Sequence, residues 1–167
     1  MAYEAILHGA RGLLWWGSML SSTKAAYWKA ILSVTSEIAE LEPYLVATEM
    51  KKQLTVEPMA FAASEPSRVA YSFRQHQNDY LFILSTTDNR QWVRVSGLGR
   101  LNGRVFYAID TGRPHTVQQG RLLLPPQSEP HVLCTDRQWH LVEQNPYPPA
   151  WDRFGNHPLK EIENSRR

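Results

Sequence analysis

The residues that could do chemistry are sixteen carboxylates, six histidines and one cysteine, and their spacing assembles no familiar constellation. His8, His76, His115, His131, His140 and His157 show no paired ligand spacing, and Cys134 stands alone. Neither a metal site nor an internal disulfide is therefore expected. Gly97-Leu98-Gly99-Arg100-Leu101-Asn102 imitates part of a dinucleotide loop, but Asn102 occupies the place of the third glycine and no helix follows to hold a phosphate. It reads as a hairpin or loop, and no cofactor is expected. Asp110, His115 and a serine make a triad on paper only, because no Gly-x-Ser-x-Gly elbow accompanies them. Tyr71, Trp92 and Tyr107 are candidates for a carbohydrate-binding face, against which stands the usual fate of aromatics at period two, burial in a core.

The elements that would position such groups fall into two regimes. Residues 3–10 have the look of the last turns of a helix, ended by Gly9 and Gly12. Gly12-Leu13-Leu14-Trp15-Trp16-Gly17 is a continuous apolar run, as expected of a strand buried on both faces. Ser21, Ser22 and Thr23 offer N-caps for a long helix in which Tyr27, Ile31, Val34, Ile38, Leu41 and Leu45 form one apolar stripe. Pro43 should distort or end it just after Glu42. From Gln53 the period switches to two. Strands are expected over 53–57, 68–74, 80–86, 91–95, 104–109, 121–124 and 131–135, punctuated by turn residues such as Asn78-Asp79 and Gln119-Gly120. That spacing argues for an antiparallel sandwich or barrel. Residues 143–167 carry four prolines with little periodicity and should be loosely ordered.

Composition narrows the classes. The 167 residues are 43% apolar and 20% charged, a globular balance. The net charge of +2 is too small and too scattered to suggest nucleic-acid binding. The run over 12–20 is about half of the ~20 residues a spanning helix needs, so no membrane association is expected. One cysteine leaves the compartment undetermined.

The segment Tyr3-Glu4-Ala5-Ile6-Leu7-His8-Gly9-Ala10-Arg11-Gly12-Leu13-Leu14-Trp15-Trp16-Gly17-Ser18 resembles the end of the (β/α)8 barrel in clan-A-like glycoside hydrolases, including the β-galactosidase type. In those enzymes a helix ending in a Gly-Ala-x-Gly motif leads into the eighth strand, whose C-terminal end bears a tryptophan. Tyr27-Trp28-Lys29 and Leu41-Glu42-Pro43-Tyr44-Leu45 fit the opening and close of the final helix, and many such enzymes continue into a small β-sandwich. Tyr80-Leu81-Phe82-Ile83-Leu84-Ser85-Thr86 sits where that domain has a strand ending in Val-Asn, here replaced by Leu84-Ser85.

The resemblance implies an α+β chain: an incomplete barrel remnant of helix, strand and helix over 1–50, an antiparallel β-sandwich over 51–142 and the proline-rich tail over 143–167. It implies a parent that hydrolyses glycosidic bonds with two carboxylates at the ends of earlier barrel strands. None of the eleven Glu and five Asp matches those positions, so the chain alone should be inactive. By the same resemblance Trp16 becomes one aromatic wall of the sugar site, stacking on the apolar face of a sugar ring, with Trp15 packing beside it. Carbohydrate, bound in the parent, is the implied partner. Self-association through exposed barrel surface is expected of the chain itself, and one beginning near Lys51 should be more soluble. The alternative from another class is a stand-alone carbohydrate-binding or interaction module with an N-terminal association helix.

Overall fold

The computed structural model describes residues 2–14, 26–50, 54–59, 68–87 and 91–136, with backbone alone for 26–30. The 143–167 tail lies outside them. The fold is α+β: two helices, α1 (Ala2–Leu7) and α2 (Ala26–Leu45), and eight strands paired antiparallel throughout. The strands are β1 (Thr55–Met59), β2 (Val69–His76), β3 (Asp79–Thr86), β4 (Trp92–Ser96), β5 (Val105–Ala108), β6 (Pro114–Thr116), β7 (Arg121–Leu124) and β8 (His131–Cys134). One sheet has the order β1-β4-β7, the other β2-β3-β8-β5-β6.

β3 explains how the layers stack. Its side chains alternate between two faces, yet Leu81 through Leu84 are all buried. Phe82 and Leu84 point into a core shared with Val93, Val95, Leu122 and Leu124 of the three-stranded sheet. Leu81 and Ile83 point the other way, into a second core closed by Tyr3 of α1 and by Leu41 and Tyr44 of α2. The helices, the five-stranded sheet and the three-stranded sheet thus pack through two apolar layers. A continuous apolar run is what such a doubly covered strand requires.

Local chemistry sets the ends of the elements. Gly9, at φ 90°, closes α1: its N–H donates to Ile6 O at 3.0 Å and that of Ala10 to Ala5 O at 2.9 Å, a Schellman arrangement. α2 does not stop at Glu42 as its proline suggested; it continues to Leu45. Pro43 lies on the exposed side, and the carbonyl it leaves without a helical donor belongs to Ala39, also exposed, where water can serve it. The end of α2 is held from the sheet. The Arg74 guanidinium on β2 donates to the carbonyls of Leu45 and, at 3.0 Å, Ala47, while its Nε donates to Ser72 Oγ. Gln119 (φ 52°) and Gly120 (φ 70°) make the two-residue turn before β7, with Gln118 and Arg121 exchanging N–H···O bonds of 2.8 and 2.9 Å.

The strand expected over 12–17 differs. Gly12, Leu13 and Leu14 have no strand pairing, and Leu14 is 86% exposed. Trp15, Trp16 and Gly17 lie outside the described residues. A barrel strand is held by ladders to both neighbours, and no described strand stands beside these three residues to supply one. The stripe of α2, by contrast, has a bed: Ile31, Leu41 and Tyr44 are buried, and Val34, Ile38 and Leu45 pack against the helix-side core.

Candidate functional site

Trp15 and Trp16, the two site residues the sequence suggested, lie outside the described residues, so the site that can be built is elsewhere. Of the other aromatics, Tyr71 packs against the inter-sheet core and donates its hydroxyl to Leu54 O, and Tyr107 packs against the helix-side core. Trp92 alone of the three is exposed, at 39%, on the outer face of the three-stranded sheet opposite Met59. The three rings therefore do not form one face. The Gly97–Asn102 segment is a loop, with a 3-10 turn over Gly99–Leu101. Buried Leu98 anchors it by donating to Gly120 O, and Asn102 Oδ1 accepts from Gly120 N–H at 3.3 Å. That is a loop clasp, with no exposed nest for a phosphate. Among the described residues no group of His, Cys, Asp and Glu is arranged to hold a metal ion.

Two polar arrangements emerge that the sequence did not single out. The first lies under α1. The Tyr3 hydroxyl donates to Glu37 Oε2 at 2.9 Å, both groups being largely covered. Burial pushes the Glu37 carboxyl above its ordinary value, and the nearby Asp110 and Glu40 charges add to this. The hydrogen bonds from Tyr3 and Ser33 oppose the rise without cancelling it. The same burial, with the Glu37 charge, raises the Tyr3 phenol and keeps it a donor. This is a structural latch: it ties the first helix to the second.

The second is a recess of about 150 Å³ at one end of the molecule, where β3 ends and β8 begins. Glu4 of α1, Ser85 of β3, Gln91 before β4, Glu129 and His131 line it. Three of these, Ser85, Gln91 and His131, are among the five buried polar residues of the described chain. The Ser85 hydroxyl donates to Glu4 Oε1. Burial lowers the His131 imidazole to about 4, helped by His115. A hydrogen bond to the backbone of Pro125 pulls the other way. A proline offers no N–H, so the ring donates to its carbonyl; the neutral ring then keeps its second nitrogen as an acceptor. The lining contains no lysine or arginine.

Sequence signals for the recess existed in hindsight. Ser85 interrupts an apolar strand on its helix-facing side, and His131 opens the otherwise apolar His-Val-Leu-Cys strand. Polar residues in doubly covered strands need partners, but which distant residue supplies each partner is a matter of topology. No described helix is long and apolar enough to cross a membrane. No protein family model, no curated protein and no solved structure matches the chain.

Proposed function

We propose that the chain is the C-terminal portion of a glycoside hydrolase, with Trp16 as one aromatic wall of the sugar site and Trp15 packed beside it. In this reading residues 1–50 are the last helix, strand and helix of a (β/α)8 barrel, and the paired sheets are the sandwich that supports it. Resemblance over residues 3–18 suggests the class, and the observation that carries it further is Leu14. An apolar run of strand type leaves a well-capped helix and brings a leucine 86% into solvent. Such a residue calls for cover, and the neighbouring strands of a barrel would give it. Exposed Leu14 and Val46 also support self-association of the chain when those neighbours are missing. The catalytic carboxylates belong to the rest of the parent, so the chain alone turns over no glycoside. The coding sequence upstream of Met1 tests the reading directly: a stretch encoding the earlier barrel strands, in frame or across a frameshift, supports it, and unrelated sequence sinks it. In the reconstructed parent, Trp16→Ala should impair catalysis more than it lowers the melting temperature.

A second reading, a stand-alone carbohydrate-binding or interaction module, is favoured by the helix-side core. Tyr3, Leu41 and Tyr44 are buried by this chain's own sheet. Saccharide binding by the isolated chain, with no hydrolysis and no upstream barrel, would select it.

A further inference from the structure

We infer that the recess between Glu4, Ser85, Gln91 and His131 is a binding site for a small neutral polyhydroxyl molecule, a single sugar ring or a short polyol. Its size fits one such ligand. At ~30 Å³ per water the recess of about 150 Å³ holds roughly five waters, well short of the ~300 Å³ at which pockets for larger ligands begin. Its chemistry fits as well. The walls offer acceptors at the Glu4 carboxylate, the Ser85 hydroxyl oxygen and the second nitrogen of the neutral His131 ring, and a donor at the Gln91 amide. Hydroxyl groups both donate and accept, so a polyol can satisfy such a mixture, replacing the waters it displaces bond for bond.

The charges exclude the other simple classes. Glu4 and Glu129 line the recess with no cation beside them, which repels phosphates and carboxylates. An ammonium group would meet Glu4 only at the rim, where that side chain is 42% exposed and already engaged by Ser85. An exposed pair of that kind is worth little, and deeper in the recess the buried Ser85, Gln91 and His131 offer only neutral partners. The site is separate from the tryptophan pair and does not depend on the glycosidase reading. It would serve an accessory role in a parent enzyme or a primary one in a free module.

The test is a titration of the isotope-labelled full chain with glucose, galactose, mannose and glycerol, with methylammonium and inorganic phosphate as controls, followed by amide and imidazole resonances. A saturable shift confined to Ser85, Gln91 and the 127–132 segment, given by at least one neutral ligand, is the expected result. Gln91→Leu should weaken that binding about tenfold, the worth of one buried hydrogen bond. Trp92→Ala, on the far face of the other sheet, should leave it unchanged. Should Gln91→Leu misfold, Glu4→Gln at the rim serves instead: it removes the charge, and neutral-ligand binding should survive it. The inference is overturned by any of three outcomes: no saturable shift with any neutral ligand, binding of methylammonium alone that Glu4→Gln abolishes, or sugar binding that follows Trp92→Ala and not the recess variants. None of these outcomes bears on the upstream sequence, so this site and the glycosidase reading can fail separately.

Discussion

The five-stranded sheet has two covered faces, and they are built from different chemistry. On the side of the three-stranded sheet, Phe73, Phe82, Leu84, Val93, Val95, Phe106, Leu122, Leu124 and Leu133 meet with no polar group in the cluster. On the helix side, the apolar contacts of Leu41, Leu81, Ile83 and Val132 are mixed with Tyr3, Tyr44 and Cys134, and the Tyr3–Glu37 hydrogen bond runs along its border. Burial raises the Tyr44 phenol and takes the Cys134 thiol to about 11. The first face is held by packing, which depends on shape and hardly on pH. The second is held by packing plus protonation states. A face of that kind suits elements that make one set of contacts here and can make others in a larger assembly.

Deleting residues 2–50 is the severest way to probe the difference. Leu81, Ile83 and Val132 would lose their cover, each worth ~1.5–3 kcal/mol, and the shortened chain should aggregate on light scattering. The sequence alone suggested the opposite, that a chain beginning near Lys51 would be more soluble. The change of sign follows from β3 being apolar on both faces. A soluble, cooperatively melting shortened chain would mean the helix side is a detachable layer.

Phe106→Ala, inside the purely apolar core, should cost ~3–5 kcal/mol and lower the denaturation midpoint equally at pH 5 and pH 7. A pH-dependent loss would break the contrast between the faces.

His131 supplies the next largest effect. Its folded value of about 4 lies below the ordinary 6.5, so the unfolded chain binds the proton more readily between those limits. Stability should therefore fall as pH drops from about 6.5 to about 4, by ~3 kcal/mol if this group acts alone, and level off below. Glu37 works in the opposite sense. Its folded value is raised, so the stability it contributes is present below the unfolded value near 4.5 and is lost as pH rises through the folded value. His131→Phe should flatten the acid limb, and Glu37→Gln should remove the opposing term. Thermal melts at several pH values distinguish the two.

Arg74→Met, which leaves the last carbonyls of α2 without their guanidinium partner, should cost ~1.5–3 kcal/mol, visible first as early amide exchange near Leu45. Tyr3→Phe is the mildest change, ~1 kcal/mol, and should raise the Glu37 carboxyl further by removing the donor that holds it down. An unchanged Glu37 titration would mean that the latch does not form in solution.

Most of the strands could be read from the sequence because their signals are local. Tyr80 to Thr86 is apolar without alternation and bounded by turn residues, and it forms β3 within one residue of expectation. β6 was missed: Pro114-His115-Thr116 is three residues long, opens on a proline and carries no apolar pattern. What places it is pairing with β5, a relation between segments that no window along the chain contains. The candidate site was less legible for the same reason. Glu4 and Ser85 are 81 residues apart and meet only because α1 lies over the end of β3. Composition can say that Ser85 in an apolar strand needs a partner, but it cannot say that Glu4 is the one.

The neighbours of β3 also set a timetable for synthesis. β2 reaches it at once through a two-residue turn at Gln77 and Asn78, but the strand on its other edge is β8, residues 131–134. At a translation rate of ~5–20 residues per second, that edge stays open on the ribosome for roughly 3–10 s. During the interval α1 and α2 have already emerged and can shield Leu81 and Ile83, whereas Phe82 and Leu84 must wait for β4 and β7. The helices would then shield the nascent sheet on one side before the other side has a partner. Slowing translation downstream of residue 86 should lengthen the window in which a chaperone can hold the chain by that unpaired edge.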